Sequence, residues 1–146
     1  MKKRVLSVVA SFMLLAAIAL PALAKDWVQI GDRHYIDADS IKQASDYGTY
    51  TYTTKYMAKD FPLEEINGRK VWTIKTNSYM DCKSAYAKTI SYTAYDADDK
   101  VIVTNNYVHK QWININSGSR ASDSYEFICS DKYLNKRPYY NSLWLY

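Results

Sequence analysis

The sequence predicts an α+β domain, mainly an antiparallel β-sheet of about six strands with one C-terminal α-helix tied to the sheet by a disulfide. Three observations carry this prediction. Residues alternate with period two through a Tyr- and Thr-rich middle region, as in "TYTYTTKYMA". After Ser119 the period becomes helical. The chain has 2 cysteines, and Cys82 ends a strand-like run while Cys129 ends the helix-like one.

The elements follow in order. "WVQIGDRHYID" reads as two short strands joined at Gly31-Asp32. "ADSIKQASDYG" reads as a polar connection in which Asp39 or Ser40 caps one helical turn. In "TYTYTTKYMA", Tyr50, Tyr52 and Tyr56 share one face and Thr49, Thr51, Thr53 and Lys55 the other. The tyrosine face is expected to pack under the helix. Pro62 and Asn67-Gly68 make "KDFPLEEINGRK" a loop.

"VWTIKTNSYMDC" is the next strand, with Trp72, Ile74, Met80 and Cys82 on one face. "SAYAKTISYTAYD" follows, "DADDK" turns the chain, and "VIVTNNYV" and "QWINI" are further strands. From Ser119, the residues Ser122, Tyr125, Ile128 and Cys129 fall on one helical face, with Ser117 or Ser119 as N-cap. A helix this short is marginal alone and needs packing to persist.

The N-terminus sets the compartment. Lys2, Lys3 and Arg4 precede the apolar run Val5–Leu20 and the small-residue motif Ala22-Leu23-Ala24. This is the pattern of a bacterial secretory signal peptide, with cleavage expected between Ala24 and Lys25. No cysteine follows the cut, so a lipid anchor there is not expected, nor is a membrane span in the mature chain. The organisation is then a leader at 1–24, a single domain at 25–131 and a basic-aromatic tail at 132–146.

The full chain carries a formal charge of +4, but three of its 19 Lys and Arg lie in the leader. The mature chain keeps 16 cations against 15 acids and has no basic stripe of the kind that binds nucleic acid. Export also favours oxidation of Cys82 and Cys129 to a disulfide. Closing a loop of about 47 residues stabilises the fold by roughly 4 kcal/mol on the chain-entropy model. That is a large share of the 5–15 kcal/mol, in rough terms, that holds a domain together.

Motifs for chemistry are sparse. His34 and His109 stand far apart without a metal-binding companion, and "DADDK" lacks the glycine and glutamate of a calcium loop. The same holds for Asp37-Ala38-Asp39. No serine sits in G-x-S-x-G or S-x-x-K, and 4 glycines leave no phosphate-cradling loop. The reading is therefore non-enzymatic, without a cofactor or metal. The 15 Tyr and 4 Trp carry more weight, because aromatic side chains dominate both cores and recognition surfaces.

At these residues the chain resembles the surface-adhesin protein E family of Gram-negative bacteria. "WVQIGDRHYIDADSIK" resembles the family's opening, with its early Trp, short hairpin and "YID…SI" element. "YMDCKSAYAKTISYTAYDADDKVI" is similar to its central block. "QWININSGSRASDSYEFIC" is similar to its closing block, with Ser117 where the turn usually has proline.

The resemblance spans Trp27 to Cys129 and carries over Cys82 and Cys129 as individual residues. It implies one antiparallel sheet with a disulfide-linked C-terminal helix. It also implies pairing into homodimers and adhesion to host matrix proteins such as laminin and vitronectin. The expected function is an exported, adhesin-like binding protein, surface-exposed, secreted or periplasmic. A periplasmic accessory protein is the alternative, and a small hydrolase or outer-membrane barrel is a weaker fit.

Overall fold

The computed structural model describes residues 26–130 apart from 45, 107 and 110. The expected cleavage site at Ala24 and Lys25 and the tail at 132–146 lie outside the described residues. Among the described residues the chain forms nine strands and one helix. A long sheet runs in the order β1 (Trp27–Gly31), β2 (His34–Gln43), β3 (Thr49–Met57), β6 (Thr73–Asp81), β7 (Tyr86–Tyr95), β8 (Val101–Asn106). β9 (Ile113–Asn114) also pairs with β7, and every pairing is antiparallel. The sheet is thus a meander interrupted once, where β4 (Glu64–Ile66) and β5 (Arg69–Val71) form a separate hairpin between β3 and β6.

Two segments differ from the sequence reading. The stretch expected to be a polar connection with a helical turn at Asp39 or Ser40 is strand, and β2 runs on to Gln43. The register slips between Asp37 and Lys42. Ser40 bridges the slip, its hydroxyl donating to the Asp37 carbonyl at 2.6 Å and accepting from the Thr53 N–H at 2.8 Å. A side-chain hydroxyl that satisfies the backbone at a bulge lets a polar segment remain in a sheet. The stretch expected to be loop holds the β4–β5 hairpin. Its turn residues Asn67 and Gly68 have φ of 50° and 74°, the left-handed pair that twists a two-residue hairpin correctly.

Helix α1 (Arg120–Cys129) starts at the N-cap Ser119, whose hydroxyl accepts from the Ser122 N–H at 3.2 Å. Asp123 in the first turn suits the positive end of the helix dipole. Phe127 and Ile128 point into the sheet and are buried with Ile36, Tyr52 and Met80. Full burial of each such apolar side chain contributes about 1.5–3 kcal/mol. Around them pack Val28, Ile30, Ile41, Tyr50, Ala87, Ile115 and Tyr125. The tyrosine face of β3 therefore does turn toward the helix.

The disulfide joins Cys82 to Cys129 with 5.4 Å between the Cα atoms, fastening the last turn of α1 to the end of β6. Beside it the Tyr125 hydroxyl donates to the Cys82 carbonyl at 3.2 Å. Among the described residues no helix is long and apolar enough to cross a membrane.

Candidate functional site

α1 lies over β1 and β2 and packs on Met80 near the end of β6, leaving the stretch of β6 and β7 around Ile74, Thr76 and Thr89 open on the same face of the sheet. A cleft of about 230 Å³ opens there, beside the N-terminal turn of the helix. Its floor is a patch of hydroxyls. Thr54 and Thr76 face each other across β3 and β6 with their oxygens 2.8 Å apart. Ser78 donates to Thr89 at 3.5 Å. The Tyr52 hydroxyl faces Ser78 and Ser124, and burial pushes its pKa up to about 12, so it stays a neutral donor.

The wall of the cleft is cationic. Arg120 lies over the Tyr56 ring, its guanidinium carbon 4.2 Å from the centroid. Arg33 approaches the same ring at 5.4 Å and donates to the Tyr56 hydroxyl at 3.1 Å. Arg33 can reach back because it sits in the β1–β2 turn with φ of 54°, one residue later than the Gly31-Asp32 turn expected from sequence.

His34 closes the end of the cleft. It is buried, and its Nδ1 lies 3.2 Å from an Asp123 carboxylate oxygen. Burial holds the imidazole below its ordinary pKa of 6.5; Asp123 pulls it up and Arg120 pushes it down. The helix comes this close because residue 31 is glycine. A Cβ built there would stand 2.3 Å from Asp123 Oδ2.

His34 is thus a helix-to-strand link. Donors and hydroxyls equip the cleft for recognition by hydrogen bonding. His109 lies in the segment after β8, its N–H donating to the Thr89 carbonyl at 3.2 Å. In "DADDK" the Asp96 carboxylate accepts from the N–H groups of Asp98 and Lys100 at 3.0 and 2.9 Å and pairs with Arg69 at 2.5 Å. Asp96 is therefore a turn former, its carboxyl held below the usual range chiefly by the Lys100 N–H. Among the described residues no group of three or more His, Cys, Asp or Glu is placed to hold a metal ion.

The opposite face of the sheet is polar and ringed. Thr53 donates to Asn77 at 2.9 Å, and Asn77 donates to Ser91 at 2.9 Å. Lys55 lies 4.4 Å from the Trp27 ring and 5.2 Å from that of Tyr35, and Lys75 lies 4.5 Å from that of Tyr95. Tyr79 and Trp112 meet at 6.2 Å. Sequence reading placed Thr53 and Lys55 on this face. It also placed Tyr56 with Tyr50 and Tyr52 on the helix side, but it missed Arg120 over the Tyr56 ring and the Lys55–Lys75 row, because the strand order skips from β3 to β6 and register is not visible in a linear pattern.

The fold and its surfaces define a small sheet-and-helix recognition domain, stapled by one disulfide and bearing a hydroxyl-floored cleft on one side and a cation-aromatic face on the other. The chain belongs to the surface-adhesin protein E family, whose model matches residues 27–130. The family is one of surface adhesins. No curated protein matches the chain significantly.

One solved structure supports a shared fold, and others are similar to a lesser degree. Against the crystal structure of protein E from non-typeable Haemophilus influenzae, identity is 11%, with 75% of this chain and 79% of that one covered and a TM-score of 0.51. The structure of Haemophilus influenzae protein E gives 10% identity, 69% and 80% coverage and a TM-score of 0.49. Its crystal form II gives 12%, 66% and 80%, and 0.48. At such identities the likeness is one of fold.

Proposed function

We propose that the chain is exported, loses its leader between Ala24 and Lys25, and acts at the cell surface as an adhesin that binds host extracellular-matrix proteins such as laminin and vitronectin without catalysing a reaction. The observation that carries this reading is the family match over residues 27–130, nearly all of the described chain. The surfaces support it. Tyr52, Tyr56 and Arg120 line the cleft among its hydroxyls, and Trp27, Tyr35 and Tyr95 flank the lysines of the other face; tyrosine, tryptophan and arginine are the residue types in which binding energy concentrates at protein contacts. Pairing of two copies belongs to the same reading and is measured by sedimentation.

The test is binding of the mature chain to immobilised laminin and vitronectin. Saturable binding at micromolar concentration supports adhesion, and a flat response to both overturns it. Cell fractionation separates locations, since periplasmic retention assigns the accessory role instead. Mass measurement of the exported protein fixes the cleavage site.

A further inference from the structure

The sheet face opposite α1 carries two neighbouring rows set by strand register. In one row Tyr35, Lys55, Lys75, Thr93 and Thr104 are successive cross-strand partners from β2 to β8. In the next row the partners are Trp27, Asp37, Thr53, Asn77, Ser91 and Asn106. Lys55 and Lys75 are thus direct cross-strand neighbours of like charge in the middle of a sheet. Such a pair costs stability.

The surroundings hold the repulsion in place. Lys55 is half-buried between Trp27 and Tyr35, and Lys75 is half-buried over Tyr95. Burial and the neighbouring Lys75 lower the pKa of Lys55, and only the turn residue Asp99 counters them. Rings beside an ammonium keep it ordered and partly dehydrated, which sharpens its attraction for an anion. The second row supplies amide and hydroxyl groups in an ordered chain from Thr53 through Asn77 to Ser91, and its acidic member, Asp37 on β2, is buried. Among the described residues the apolar side of α1 packs on the other face, and nothing in the core cluster covers this one.

We infer that this face binds an acidic glycan, a chain of sulfated or carboxylated sugars laid across the strands. The Lys55–Lys75 pair takes an anionic substituent. Trp27, Tyr35 and Tyr95 offer flat rings to sugar faces, and Asn77, Ser91 and Thr53 exchange hydrogen bonds with sugar hydroxyls. From β1 to β7 the platform spans four strand spacings, roughly 19 Å, long enough for a chain rather than a lone ion. An acidic protein loop would satisfy the lysines but leave the hydroxyl row and the rings unused. The inference does not rest on the adhesin reading, because it holds equally for a protein retained in the periplasm.

The experiment is calorimetric titration of the mature chain with size-defined heparin oligosaccharides, with desulfated oligosaccharides of the same length as control. Binding is expected for the sulfated chains, weakening with salt and markedly weaker after desulfation, which leaves only the uronic-acid carboxylates. Lys55→Gln with Lys75→Gln should lower affinity by about tenfold or more, because charge-assisted bonds are lost. Lys59→Gln with Lys70→Gln removes the same charge at exposed positions outside the rows and should change it by less than about twofold.

The first double variant should melt no lower than the parent, since it relieves like-charge repulsion. No saturable binding, or equal loss in both double variants, overturns the proposal. Tighter binding to an acidic peptide than to any sulfated oligosaccharide does so as well. Failure to bind laminin or vitronectin bears only on adhesion.

Discussion

The two faces of the long sheet are built on opposite terms. The helix side is apolar, covalently stapled and closed over β1 to β3 and the end of β6, with Ile36, Met80, Phe127 and Ile128 shielded from water. The other side has no covering helix among the described residues and holds itself together with a ladder of Thr, Asn and Ser side chains and with lysines laid over rings. One face stores the stability and the other spreads polar groups over a rigid platform. The contrast shows how strand register alone can fix the spacing of polar groups and rings on an open sheet face.

The largest break in this comparison is at the staple. Replacing both Cys82 and Cys129 with alanine opens the 47-residue loop and should cost about 4 kcal/mol on the chain-entropy model. Guanidinium unfolding of the two proteins measures it. A loss under about 1 kcal/mol would mean that α1 docks by packing alone.

Next comes Gly31→Ala. The added Cβ would meet Asp123 Oδ2 at 2.3 Å and Cγ at 2.9 Å, so the helix must retreat. Overpacking of this kind costs about 1–3 kcal/mol. Adding Asp123→Ala should return part of that loss, because the two changes share one contact. Strict additivity of the two costs would refute a steric origin.

His34 makes the contrast pH-dependent. Its folded pKa lies below 6.5 because burial disfavours the cation. Above 6.5 the imidazole is neutral in both states and contributes no slope. As pH falls below 6.5 the unfolded chain takes up the proton first, so stability drops until the folded pKa is passed. Melting temperatures between pH 7.5 and 5, in rough range, should fall more steeply for the parent than for His34→Gln. Parallel curves would show that His34 carries none of the dependence.

Much of the helix side was legible in the sequence. A change of period at Ser119 and a cysteine pair in a chain whose start reads as a leader point to α1 and its staple, because both signals are local or compositional. The N-cap was legible to within two residues, Ser117 or Ser119, and it is Ser119. The second half of β2 was not, since Asp37, Asp39 and Ser40 read as a turn until Ser40 is seen bridging a bulge. The β4–β5 hairpin had its signal in Asn67-Gly68, but a neighbouring proline at Pro62 concealed it. The cleft and the lysine row were illegible because they depend on β3 meeting β6 across a 15-residue insertion between Met57 and Thr73. Long-range register is a tertiary property, and composition carries no trace of it.

The smallest effect is expected at the centre of the open face. Asn77 joins Thr53 and Ser91, yet it is exposed, so water replaces its partners when they are removed. Asn77→Ala should change unfolding free energy by less than about 0.5 kcal/mol. Met80, its neighbour but for two residues on the other face, is fully buried, and Met80→Ala should cost about 2–5 kcal/mol. Paired denaturation curves for these two variants measure the asymmetry of the sheet along a single strand. Similar losses would mean that the polar ladder supports the fold and is not free to serve a ligand. A wide gap leaves Asn77 open to exchange its hydrogen bonds, as a binding surface requires.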